Sequence, residues 1–214
     1  MSNAALRCNE LQSSGSLRIP FPLALIVLAW LGLVLYLGAN EVFVTEPVRP
    51  PLALLFAVAT PVGVFLGAYW LFDSVREFTH AANLSVITAV QAWRVGGYSF
   101  LVMYSYGLLP GFFAWPAGLG DMAIGSTAPL LVAMLRKPKF VGSKSFVTWN
   151  VLGILDLVAA VTLGAIASRL IENAGGVVPT TAMAYLPLVL IPTFFVPVFV
   201  ILHLAALLKS HTTL

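Results

Sequence analysis

Six stretches of the chain, each close to 20 residues long, run almost without charge. That is the length a helix needs to cross the hydrocarbon of a bilayer. They fall at about 21–39, 52–72, 84–109, 117–135, 145–168 and 184–208. No water is present in a bilayer core, so each crossing segment must satisfy its own backbone groups, and a helix does so. Composition agrees. Of 214 residues, 60% are hydrophobic and 9% charged, against about 25% charged in a soluble domain. The expected fold is an all-α, polytopic transmembrane bundle of about six spans. Residues 19–208 form one membrane domain between a polar tail at 1–18 and a short tail at 209–214. A signal-peptide cut after Ala39 would put Leu37 where a small residue is wanted, so the first span is expected to stay.

The basic residues set the expected orientation. With the N-terminus inside, Arg7, Arg18, Arg76, Arg136, Lys137, Lys139, Lys144 and Lys209 lie on the inner side, and only Arg49 and Arg169 on the outer. Both termini are therefore expected in the cytoplasm, with the chain multi-pass in the cell (inner) membrane. The net charge of +3 is spread over helix ends. It makes no basic patch interleaved with aromatics, which excludes nucleic acid as a partner. The partners expected are the lipid bilayer and either a second copy or another membrane subunit. Cys8 is the single cysteine, so neither an internal disulfide nor a Cys-based metal site is expected.

Three local features are unusual. Leu109 to Gly118 joins two spans with two prolines, two glycines and no charge. It reads as a tight apolar turn rather than a re-entrant loop, which membranes tolerate only where protein or a wet cavity covers it. Pro187, Pro192 and Pro197 are expected to bend the sixth span. Finally, Gly118-x-x-Asp121 is echoed by Gly153-x-x-Asp156 on the next span.

Ionisable groups inside a membrane cost on the order of 3 kcal/mol each and face the bundle interior. Arg94, Asp121 and Asp156 qualify, with Gln91 and Asn150 as polar companions. At 100° per residue, Gln91, Arg94, Tyr98 and Ser105 share one face of the third span. Asp121 and Asp156 lie on faces rich in Gly and Ala, which let helices approach closely. At 1.5 Å per residue, Arg94 and Asp156 both lie about 15 Å into their spans from the inner end. An Arg94–Asp156 contact is expected. Asp121, about 6 Å below the outer surface on these boundaries, is expected to cap its own helix or hold the Pro-Gly turn.

Several functions can be argued down. The lysines lie at span edges, so a retinal Schiff base has no anchor. His80 and His203 are the haem candidates, both expected on the inner side; no cofactor or metal is otherwise expected. Rhomboid-type intramembrane serine proteases carry a serine on the fourth span and a histidine on the sixth, but the Gly-x-Ser-Gly pattern is absent around Ser126. Its depth also differs from that of His203 by more than hydrogen-bond reach. An enzyme is not favoured. The leading reading is transport or permeation of a small solute through a polar centre formed by Gln91, Arg94, Tyr98, Asp121, Asn150 and Asp156, with Arg94 favouring an anionic or polar solute. The alternative is a non-catalytic membrane subunit in which an Arg–Asp contact locks packing. A haem or quinone redox role is the minor alternative.

Overall fold

A computed structural model describes residues 21–46, 49–137, 140–169 and 179–211. The 1–18 tail, with Arg7, Cys8 and Arg18, lies outside the described residues, as do Lys139 and 212–214. All regular structure among the described residues is helical, in the order α1 (Phe21–Ala39), α2 (Leu52–Leu71), α3 (Asp73–Ala81) and α4 (Leu84–Val90). A 3₁₀ segment at Gln91–Gly97 leads into α5 (Tyr98–Ser105), followed by α6 (Gly111–Met134) and α7 (Lys144–Ala167). A 3₁₀ turn at Thr180–Ala184, a π-turn at Ile191–Phe195 and α8 (Val196–His211) complete the order. Among the described residues five helical stretches are long and apolar enough to cross a membrane: α1, α2, α6, α7 and Ile191–Ser210.

The sixth expected span, the third in chain order, is composite. Residues 84–105 are helical throughout but change winding twice, from α to 3₁₀ and back. At about 1.5 Å per α residue and 2.0 Å per 3₁₀ residue the whole run measures about 35 Å. The helix ends at Ser105 rather than near 109. Gly107 then turns the chain with φ of +69°, a left-handed conformation that glycine adopts without steric cost.

Two further boundaries differ from the sequence expectation. Helix α6, expected from 117, begins at Gly111, with Pro110 in extended backbone at its N-cap. Most of the Leu109–Gly118 connection is thus the first turns of a helix, because Pro and Gly at an N-terminus start one as readily as they form a loop. The last membrane helix begins near Ile191, after the 3₁₀ turn at 180–184, so Pro187 precedes it. Pro192 sits in the π-turn and Pro197 at the start of α8. The proline-rich stretch marks the entry of this helix and its change of winding.

Side-chain caps set other starts. Asn83 Oδ1 accepts from the Ser85 and Val86 amides at 2.9 and 3.4 Å. Ser143 Oγ accepts from the Phe146 amide at 3.2 Å. Each satisfies an amide that has no partner within the helix.

The packed centre consists of the composite helix, α6, α7 and α8, while α1 buries fully only Val34 and Gly38, and α2 only Tyr69. Two apolar clusters divide this centre along its length. Ile87, Ile124, Leu131, Phe146, Trp149 and Ala206 belong to the cluster at the end carrying the 72–83 connection. Phe100, Leu109, Phe113, Ala117 and Met183 belong to the one at the 40–51 end. A charged layer lies between them.

Candidate functional site

Arg94 is the hub of that layer. Its side chain has no solvent exposure. Nε donates to Asp121 Oδ1 at 2.7 Å, and Nη2 donates to Asp156 Oδ2. Nη1 donates to the Gly153 carbonyl at 3.2 Å and to His203 Nε2 at 3.1 Å. Four bonds thus draw in α6, α7 and α8, and the planar guanidinium is suited to this fan of acceptors.

The orientation of His203 follows from its neighbours. Asn150 Nδ2 donates to the Phe146 carbonyl at 2.9 Å, so its Oδ1 is the acceptor facing His203 Nδ1 at 2.9 Å. The ring therefore donates from Nδ1 and accepts from Arg94 at Nε2, as a neutral imidazole does. Trp149 stacks edge-on against it, with ring centroids 5.3 Å apart. With neutral His203, one guanidinium faces two carboxylates, which as ionised groups give the layer a formal charge of −1.

Winding explains which residues enter. In a 3₁₀ helix, residues three apart eclipse. The buried residues of the 3₁₀ segment are Gln91, Arg94 and Gly97, at that interval. Four residues of α-helix turn 40° past a full circle, whereas four of 3₁₀ turn 120° past it. Tyr98 is thereby swung away from Arg94 and is 58% exposed. This corrects its expected place on the polar stripe. Ser105 is likewise exposed and donates to its own helix, at Val102 O.

Glycines permit the close approach. A Cβ on Gly125 would strike the backbone at Arg94 and Val95, and one on Gly97 would strike the Asp121 side chain. A Cβ on Gly120 would occupy the place of the Asp156 carboxylate, and one on Gly153 that of the His203 ring.

Of the candidates read from sequence, Arg94, Asp121, Asn150 and Asp156 meet in one network, and Gln91 lies one turn away, donating to Phe199 O at 3.2 Å. Asp121 is no helix cap. With α6 starting at 111 it lies about 15 Å along the helix, opposite Arg94. His203 belongs to the network as well. Counting the last span from 184 placed it too near the inner end; from Ile191 it falls mid-helix. His80 engages Tyr69 Oη at 3.2 Å on the α2–α3 corner, so the two haem candidates hold separate partners. Ser126 is exposed and donates to Ala123 O. Among the described residues no group of three or more His, Cys, Asp or Glu is placed to hold a metal ion.

A cavity of about 80 Å³ opens on the 40–51 side of the layer. That is room for a few waters or a small solute. Phe100, Phe113, Leu157, Met183, Ile191 and Pro192 are among its walls, and Asp121 is the charged residue that lines it. The Asp121 side chain retains 15% exposure, whereas Arg94 retains none.

A family model described as Domain of unknown function (DUF8737) matches residues 51–209. No curated protein and no solved structure matches the chain.

Proposed function

We propose that this chain, which belongs to the DUF8737 family, is a six-span protein of the cell (inner) membrane that carries a small solute across it. Both termini would lie in the cytoplasm, in keeping with the eight-to-two distribution of basic residues. The observation that carries the reading is the cavity at the 40–51 end, which reaches the Asp121 carboxylate of a buried charged layer. A largely apolar pocket with one convergent charge is the usual form of a small-molecule site. Two irregular windings adjoin it: the 3₁₀ segment carries Arg94, and Ile191 and Pro192 of the π-turn line the cavity. Both kinds of winding recur at hinges and functional sites.

The charge facing the cavity is a carboxylate, while the guanidinium is enclosed. This favours a solute with a cationic or hydrogen-bond-donating group over the anionic solute that Arg94 alone suggests. Primary alkylamines are the probe of choice. In nanodiscs they are expected to raise the melting temperature of the wild type and leave Asp121→Asn unmoved, and uptake into proteoliposomes is expected to vanish in the same variant. Equal shifts in both proteins would remove Asp121 from the binding site.

The second reading, a non-catalytic membrane subunit, is favoured by one observation. Every side chain in the layer is engaged, and the glycines beside it leave no slack, as a packing device requires. No thermal shift with any amine, together with loss of a co-purifying membrane partner in Arg94→Gln, would select it.

A further inference from the structure

We propose that the bundle binds a water molecule on the far side of the charged layer from the cavity, between Thr88 Oγ1 and Gln91 Oε1. Among the described residues these two oxygens are the buried side-chain polar atoms without a hydrogen-bond partner. Both residues are 1% exposed. Thr88, Gln91 and Arg94 follow one another at three-residue intervals, so the two oxygens stand on the face of the composite helix that carries the guanidinium.

The amide of Gln91 is fixed by its neighbour. Its nitrogen donates to Phe199 O, which leaves Oε1 as an acceptor with both lone pairs unused. The Thr88 hydroxyl either gives or takes a bond. A buried group left unpaired is costly, and buried waters are the usual partners of such groups. Leu84, Ile87, Trp149 and Ala206 belong to the apolar cluster in this half of the bundle, and neither oxygen finds a hydrogen-bond partner there. The chemistry selects water over an ion. A cation would be repelled by the guanidinium one turn away. An anion needs donors, and Oε1 only accepts. One water donates to Gln91 Oε1 and exchanges a second bond with the Thr88 hydroxyl.

This site does not depend on the transport reading. It makes the polar column wet on both sides of Arg94, with the guanidinium as its dry section.

Brief X-ray irradiation of the full chain in nanodiscs tests it. Hydroxyl radicals form from water and oxidise buried side chains only where a water is held against them. Oxidation is expected in the buried segment 84–91 of the wild type, at several times the level at Leu109 and Ala114, buried residues of the opposite apolar cluster that do not line the cavity. Thr88→Val removes the hydroxyl at nearly constant shape. It is expected to abolish that labelling and lower the melting temperature by about 2–4 °C, whereas Thr88→Ser keeps both near wild type. A dry site behaves oppositely: deleting an unpaired hydroxyl relieves a cost, so the melting temperature holds or rises. An unlabelled wild type, or a Thr88→Val variant as stable as the wild type, overturns the proposal. If Thr88→Val does not fold, the wild-type labelling decides alone.

Discussion

Arg94 and its two aspartates are not interchangeable losses. Removing one carboxylate, as in Asp121→Asn, leaves one guanidinium facing one carboxylate, and the remaining pair is balanced. The expected cost is that of a charged hydrogen bond, about 1–3 kcal/mol. Removing the guanidinium, as in Arg94→Gln, strands two largely buried carboxylates without a counter-charge. Breaking a buried pair in this way costs about 3–5 kcal/mol. Thermal unfolding in detergent should therefore rank Arg94→Gln well below Asp121→Asn, and equal losses would mean the three charges do not act as one group. Arg94→Lys should fall with the glutamine variant, because a lysine cannot fan four bonds to three helices. The sequence made the charged residues legible, since an ionisable group in an apolar run has nowhere to go but the interior. It hid two things. His203 looked peripheral because its depth was counted from the wrong helix start. The role of Asp121 was misread for the same reason: six residues of extra helix at 111–116 carried it from the surface to the centre.

At the level of elements, the decisive feature is the 3₁₀ winding of 91–97, which no hydrophobic period announces. Periodicity at 100° per residue correctly grouped Gln91 with Arg94, because three residues nearly close a turn in either helix. It failed at Tyr98, four residues on, where the two windings differ by about 80°. The glycines of α6 and α7 belong to this scale too. Small residues on one face were visible, and they mark close packing, but which glycine meets which neighbour depends on register. Gly125 is the most demanding, since the atoms a Cβ would strike are backbone and cannot rotate away. Gly125→Ala should cost more than 2 kcal/mol, at least the upper part of the range for overpacking a tight interior, about 1–3 kcal/mol. Gly67 on α2 has nothing within 4 Å of such a Cβ, and Gly67→Ala should leave the melting temperature within about a degree. Comparable losses at the two sites would mean that the approach of α6 to the 3₁₀ segment at Gly125 is no tighter than the open position at Gly67.

For the whole molecule, parity connects span count with orientation. Among the described residues five helical stretches have the length and hydropathy to cross a membrane, and an odd number of crossings would put the two chain ends on opposite sides. The composite run 84–105 changes the answer. Its length of about 35 Å exceeds the hydrocarbon thickness of about 30 Å, and the charged residue within it is neutralised by neighbours on either side. If it crosses, the ends share a side, and the basic residues place that side inside. Single cysteines on a Cys8→Ser background decide this with a maleimide that does not pass membranes. Arg49→Cys should react on intact cells, and Lys144→Cys and His211→Cys only after permeabilisation. A chain whose composite segment stays on the inner side would expose both Lys144→Cys and His211→Cys to the outside. In that arrangement the polar layer could not stand between two aqueous faces, and the transport reading would fall with the sixth crossing.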